Sequence, residues 1–246
     1  MKIVVNGAAG QMGKALRAMI ENGCRGSELA AAVDAFAPGE GVLAALTDFQ
    51  GDADCVVDFS HHSATKVLTD YAVARKLPLV IATTGQTPEE QELIHKAAKT
   101  IPVFCSGNMS IGIALLTELA RMTAKMFPDA DVEIVEQHHN RKVDVPSGTA
   151  LMLAKAVQDV RPDSHLLVGR HENGRREKGE IGIHSLRMGN TVGVHEVIVN
   201  TGTQIITLKH EAQDRSLFAE GALAAAQFLL GKMPGMYDVS NIVSEA

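Results

Sequence analysis

Apolar residues come first in short unbroken runs along this chain. IVV at 3–5, CVV at 55–57, LVI at 79–81 and VF at 103–104 each stand between polar or glycine-rich segments. Runs of that length suit strands buried on both faces. They predict strands at 2–6, 28–34, 55–59, 77–82 and 102–105. Between these, residues 14–22, 63–75 and 87–99 carry apolar side chains at helical spacing, with Leu16, Met19 and Ile20 on one face of the first helix. Thr87-Pro88-Glu89-Glu90 is a helix start signal. Strands alternating with helices predict an α/β domain with a parallel sheet covered on both faces.

The pattern changes after residue 108. Residues 111–126 read as one long helix, 132–137 alternate as a half-buried strand does, and 146–160 read as a helix. Three strand-like runs between 181 and 210 are broken at Gly189-Asn190 and Thr201-Gly202, which predicts antiparallel neighbours. Residues 216–230 form a last amphipathic helix. The segment 168–179, rich in Arg, Lys, Gly and Glu, reads as a mobile loop.

Composition narrows the class of partner. The chain has 246 residues, 46% of them apolar, and a net charge of −6 from 23 basic and 29 acidic side chains. The acidic balance argues against nucleic acid and against an anionic membrane surface. No apolar run reaches transmembrane length. The opening MKIVVNG reads as a strand entering a glycine turn, not as a signal peptide. Cys24, Cys55 and Cys105 are scattered and lie in or beside apolar runs, as small buried residues of a cytoplasmic protein do.

Two stretches carry candidate chemistry. Gly7-Ala8-Ala9-Gly10-Gln11-Met12-Gly13 joins the first strand to the first helix. Glycines there permit a tight turn and let backbone amides approach a pyrophosphate. Asp34 ends the next strand, where a carboxylate can accept from both hydroxyls of an adenosine ribose. Thr83-Thr84-Gly85 and Ser106-Gly107-Asn108-Met109 close two later strands, at the sheet edge where such a ligand lies. A purely structural turn with a solvated acid is the competing reading.

The second stretch is EIVEQHHNRKVDVPSGTA at 133–150. It gathers His138, His139, Arg141, Lys142 and Asp144 just ahead of a helix start at Pro146-Ser147-Gly148-Thr149. A helix N-terminus presents unpaired amides to anions, and histidine donates protons near neutral pH. Three readings compete: a site that binds a carboxylate and delivers a proton, a metal site, and a solvated basic loop. Adjacent histidines diverge and no matching Cys or Glu array accompanies them, so no metal is expected.

GAAGQMG, VDFS at 57–60, ATTG, SGNMSIG and EQHHNRKVDVPSGTA stand in the order found in the dihydrodipicolinate reductases, and the resemblance covers nearly the whole chain. It implies a Rossmann-type doubly wound parallel sheet with a second α+β domain carrying an open mixed sheet. Residues 1–108 with 215–246 would bind the dinucleotide; residues 109–214 would bind substrate and build a homotetramer. The implied reaction is reduction of a cyclic dicarboxylate imine by NADH or NADPH in lysine biosynthesis. His138 and Lys142 would be catalytic. His139, Gly148 and Thr149 would bind the small dicarboxylate. Gly7, Ala8, Ala9, Gly10, Gln11, Met12, Asp34, Ala82, Thr83, Thr84, Ser106, Gly107, Asn108 and Met109 would hold the cofactor. Gln11 and Ala35 stand where many relatives carry arginine, which implies NADH preference with NADPH the weaker partner. A semialdehyde dehydrogenase and a dinucleotide-sensing protein with a decayed site are the alternatives; the first would need a nucleophilic cysteine.

Overall fold

The computed structural model describes residues 1–245; Ala246, the last residue of the expected segment 215–246, lies outside them. The chain forms two compact units. One comprises Met1–Ile111 with the chain from Arg215 onward, the other Gly112–Asp214.

The first unit opens with β1 (Lys2–Asn6), α1 (Gln11–Glu21), β2 (Glu28–Val33), β3 (Cys55–Asp58), α2 (Thr65–Arg75), β4 (Leu79–Ile81), α3 (Pro88–Ala98) and β5 (Pro102–Cys105). α4 (Ile111–Met126), β6 (Asp131–His138), α5 (Gly148–Gln158), β7 (His165–Val168), β8 (Glu180–Arg187), β9 (Gly193–Asn200) and β10 (Ile205–Ala212) follow. α6 (Ser216–Leu229), β11 (Gly235–Tyr237) and α7 (Val239–Ser244) return to the first unit.

Six strands form an all-parallel sheet in the order β11-β5-β4-β3-β1-β2. Its alternating side chains feed two cores. Ile3, Val5, Val57, Val80 and Phe104 pack with α1 and α6; Val4, Val56, Leu79, Ile81 and Val103 pack with α2 and α3. The doubly wound arrangement expected from the short apolar runs is thus present. Thr87 and Glu90 form the capping box that starts α3. Sequence reading missed β11, whose Gly-Met-Tyr lacks a β-branched residue.

α6 lies close on the sheet because it is rich in alanine and carries Gly221. A Cβ on Gly221 would stand 1.8 Å from the Met109 carbonyl oxygen.

The second unit holds a mixed five-stranded sheet, β10-β9-β6-β8-β7. The antiparallel expectation fails between β8 and β9. Their Gly189-Asn190 turn does not make a hairpin, because β6 lies between them, parallel to β8 and antiparallel to β9. Only β9 and β10 pair as an antiparallel hairpin. β7 was also missed. Val132, Ile134, Ile181, Ile183, Val197 and Val199 face α4 and α5 across one core. The segment expected to be mobile is anchored at Arg176, which bonds Asp131, Glu133 and the carbonyls of Val132 and Glu180.

Gly221→Ala should lower stability by roughly 2 kcal/mol or more, since a backbone carbonyl cannot rotate away from an added methyl. That corresponds to about 4 °C or more in the melting midpoint. Gly174→Ala, where an added Cβ meets nothing within 4 Å, should leave the midpoint unchanged. Differential scanning calorimetry of both variants checks the pair.

Candidate active site

In the first unit the glycine turn is set by close approach. Gly7 sits at φ +79°, and a Cβ there would fall 2.5 Å from the Phe59 carbonyl oxygen. At Gly13 a Cβ would stand 2.1 Å from the Gly7 carbonyl oxygen. α1 then opens with no side-chain cap and no acid in its first turn. Its first amides and positive dipole end are available to an anion. A cleft of about 330 Å³ adjoins the turn, lined by Gly7, Gly10, Asp34, Ala35, Phe36 and His61 among others.

Ala8 is fully buried, and its amide donates to the Val33 carbonyl. Ala9 donates to Asp34 Oδ2 at 3.0 Å, while Phe36 and Ala37 amides donate to Asp34 Oδ1 at 3.0 and 3.1 Å. Asp34 therefore ties its own strand end to the glycine turn, a role the sequence did not reveal. Gln11 is exposed and Met12 half-buried at the start of α1.

Asp58 is a residue whose part sequence reading passed over. It is 2% exposed and accepts from Asn6 Nδ2 at 2.7 Å, Ser60 Oγ at 2.6 Å and Thr83 Oγ1 at 2.7 Å. Burial raises its carboxyl above the ordinary range, against the pull of these donors. The Ala82 amide donates to the Asp58 carbonyl. Ala82 and Thr83 are thereby fixed beside the ends of β1 and β3. A Cβ on Gly107 would lie 3.9 Å from Thr84 Cγ2, so the two strand-end loops adjoin. Ser106 Oγ bonds the Asn108 carbonyl at 2.8 Å. Met109 is buried in the core, 3% exposed.

In the second unit the histidine cluster grows out of β6. Val132, Ile134, Glu136 and His138 alternate onto the helix-covered face, the last two polar and buried. His138 is the last strand residue, not part of a loop. Its Nδ1 meets Glu136 Oε2 at 2.5 Å. In the parallel register His138 lies opposite Arg187, whose two terminal nitrogens donate to the Glu136 carboxylate at 2.9 and 2.8 Å. Glu136 also accepts from the Ser147 amide at 3.2 Å. Burial works to raise the Glu136 carboxyl, but Arg187, then Ser185 and His138, overcome it and hold it down at about 2. Burial lowers the His138 imidazole, with Glu136 opposing.

His195 of β9 lies opposite Glu136, with its ring edge-on to His138 at 5.1 Å between centroids. Its Nε2 is 3.2 Å from Ser147 Oγ, which also caps α5 by accepting from the Ala150 amide. Burial pushes His195 down to about 4, so it is neutral at physiological pH. Lys142 Nζ pairs with Asp144 at 2.9 Å. His139 and Thr149 are half-buried and Gly148 is exposed; Gly148 and Thr149 form the first turn of α5.

His138, His139, Lys142, Gly148 and Thr149, the expected site residues, lie within one segment of twelve residues, and the structure adds Glu136, Arg187 and His195, which sequence reading passed over. One signal was present: an acid and a histidine on the apolar side of an alternating strand are buried polar groups in need of partners.

Residues 1–109 match the family described as dihydrodipicolinate reductase, N-terminus, and residues 112–243 its C-terminus. The 4-hydroxy-tetrahydrodipicolinate reductase of Caldanaerobacter subterraneus subsp. tengcongensis is 42% identical over 249 residues, covering 100% of this chain and 99% of the relative. That of Clostridium novyi is 39% identical, covering 98% of each. Among solved structures, a dipicolinate-bound dihydrodipicolinate reductase from Paenisporosarcina sp. TG-14 superposes with a TM-score of 0.82 at 24% identity, covering 98% of this chain and 99% of that one. Both halves of the chain carry the family match, and the chain belongs to the dihydrodipicolinate reductase family.

Proposed function

We infer that this chain reduces (2S,4S)-4-hydroxy-2,3,4,5-tetrahydrodipicolinate to 2,3,4,5-tetrahydrodipicolinate, a step of lysine biosynthesis through diaminopimelate. Substrate, NAD(P)H and one proton give product, NAD(P)⁺ and water. The observation that carries this reading is the histidine and lysine pair beside the first turn of α5, in a chain of this family.

When bound, NAD(P)H supplies the hydride. The residues that suit its phosphates are the uncapped start of α1 and the glycine turn before it. Asp34, with Ala82 to Thr84 and Ser106 to Met109, would frame the remainder. Residues 1–108 with 215–246 are accordingly the dinucleotide domain, and 109–214 the substrate and assembly domain. His139, Gly148 and Thr149 would hold substrate carboxylate, using the α5 amides. The dipicolinate on the Paenisporosarcina protein is a flat dicarboxylate of the kind such a site holds. Lys142 pairs with Asp144, a 59% exposed carboxylate, which a substrate carboxylate can replace. His138 donates the proton to the reduced ring, with Lys142 stabilising charge. Burial, then the charges of Asp238 and Asp58, raise the Cys105 thiol, so it is not the activated nucleophile an aldehyde dehydrogenase needs. A reducing, cytoplasmic setting suits the three free cysteines.

His138→Gln and Lys142→Ala should each lower kcat by roughly 10²-fold or more, the size of a general-acid contribution. Glutamine is the better replacement at 138 because it leaves a polar partner for buried Glu136. Steady-state turnover of freshly generated substrate, with circular dichroism as the folding check, reads this out. Near-normal turnover in both variants would remove the assigned roles.

NADH should be preferred over NADPH by roughly tenfold or more in kcat/KM. A like charge at Asp34 and a missing guanidinium clamp each cost about 1–3 kcal/mol against a 2′-phosphate. Ala35→Arg should narrow the gap while sparing the three turn bonds of Asp34. Equal use of the two cofactors by the native enzyme contradicts this account of Asp34.

The face of the five-stranded sheet turned away from α4 and α5 carries Val135, Val194, Ile198, Leu186 and Ile205, interleaved with Glu133, His184, Glu196 and Lys209. None of these is buried, and Ile205 is 64% exposed. A mixed face of this kind suits burial against other copies. Light scattering at micromolar concentration should give a homotetramer; a monomer would exclude it.

A further inference from the structure

The proton assigned to His138 has to reside on a chosen ring nitrogen, and the second unit contains a device that chooses it. Glu136 has no exposed side-chain surface, and its two oxygens are held from three directions. Arg187 donates from β8, the Ser147 amide donates from the start of α5, and the remaining contact is His138 Nδ1. An ionised carboxylate can only accept. The Nδ1 that meets it at 2.5 Å must therefore carry hydrogen, so the neutral ring exposes Nε2 as its basic nitrogen. No hydrogen bond occupies Nε2 among the described residues. Gly193 keeps space beside it, since a Cβ there would approach Nε2 to 3.2 Å.

We propose that Glu136 is the positioning residue of the proton donor: clamped by Arg187 and the Ser147 amide, it holds the proton of neutral His138 on Nδ1 and leaves Nε2 to take up and deliver the catalytic proton. Arg187 acts through Glu136, keeping that carboxylate ionised. The proposal rests on the role given to His138 above and adds the origin of its tautomer and basicity. The charged and titratable groups around the ring are Glu136 on its own strand, Lys142 on the following loop, Arg187 on β8, and His195 on β9 with His210 of β10 behind it. His195 is held neutral by burial. Of these groups only Glu136 favours the imidazolium; Lys142, Arg187 and burial oppose it. A dicarboxylate substrate adds negative charge beside a ring that is otherwise kept neutral. His138 then gains its proton from solvent at Nε2 as substrate binds, and gives it to the ring after hydride addition. Proton count is preserved, one taken up and one delivered per turnover.

The test begins with native full-length enzyme and needs no substrate. Imidazole nitrogen-15 shifts above the His138 titration, assigned with His138→Gln, should show the Nδ1–H tautomer. The Nε2–H tautomer would overturn the proposal. Binding of pyridine-2,6-dicarboxylate, followed calorimetrically in buffers of different ionisation enthalpy near pH 7.5, should show proton uptake that His138→Gln abolishes. Uptake unchanged in that variant would count against the proposal. Glu136→Gln should then move the His138 titration to lower pH and mix its tautomers. Its kcat should fall roughly tenfold or more, with the dinucleotide KM unchanged and the basic limb of the pH profile moved toward acid. Lost turnover with an unaltered His138 titration and tautomer would make Glu136 merely structural and sink the idea. If the reaction assigned above were wrong, native enzyme would fail to turn over substrate while the tautomer measurement still stood.

Discussion

An ionised carboxylate with no exposed surface organises the second unit. Leaving the Glu136 charge unpaired in that setting would cost several kcal/mol, on the order of the 3–5 kcal/mol seen when one partner of a buried pair is removed. Its partners come from separate stretches of chain: His138 from the same strand, Arg187 from β8, Ser147 from the start of α5. Arg187 also donates to the Asp144 carbonyl at 2.8 Å, so the guanidinium fastens the loop that carries Lys142. Register is part of the same constraint. Arg187 stands opposite His138 in the parallel pair; a slip of one residue would turn it to the other face of the sheet and strand the carboxylate.

The first unit uses buried acids differently. Asp58 and Glu136 are both buried, Asp58 the more deeply, with more protein around it, and the Asp58 carboxyl is raised where that of Glu136 is lowered. Partner charge explains the contrast. Asn6, Ser60 and Thr83 offer neutral donors, which do not offset desolvation, whereas a guanidinium held bidentate does. Asp58 staples the ends of β1, β3 and β4, and Asp34 staples the end of β2 to the glycine turn. Both acids thus shape the strand ends, and the uncapped amides at the start of α1 owe their geometry to Gly7 and Gly13 lacking side chains.

The parts legible in the sequence are those governed by local pattern. Apolar runs located the parallel strands, and Thr87 with Glu90 marked the start of α3. The segment from His138 to Thr149 stood out as a candidate through residue type alone. Pairing was less legible. Gly189-Asn190 looks like a hairpin turn, but β6 lies between β8 and β9 and supplies apolar partners to both. Arg187 and His195 were invisible as site residues because only that insertion brings them beside Glu136. β7 and β11 are short edge strands held by a single neighbour, for which propensity carries little signal.

The alternation of β6 also separates the two tasks assigned to this unit. Even-numbered residues from Val132 to His138 point to the helix-covered core and end in the Glu136–His138 pair. Odd-numbered residues from Glu133 to Gln137 line the open face, where Glu133 meets Arg176 and His184. Glu133 and Glu136 lie three residues apart, yet one carboxylate lies on the open face and the other is buried beside His138. A period of two thus lets eight residues present an open face on one side and a core on the other, with Glu136 and His138 at the end of the core side.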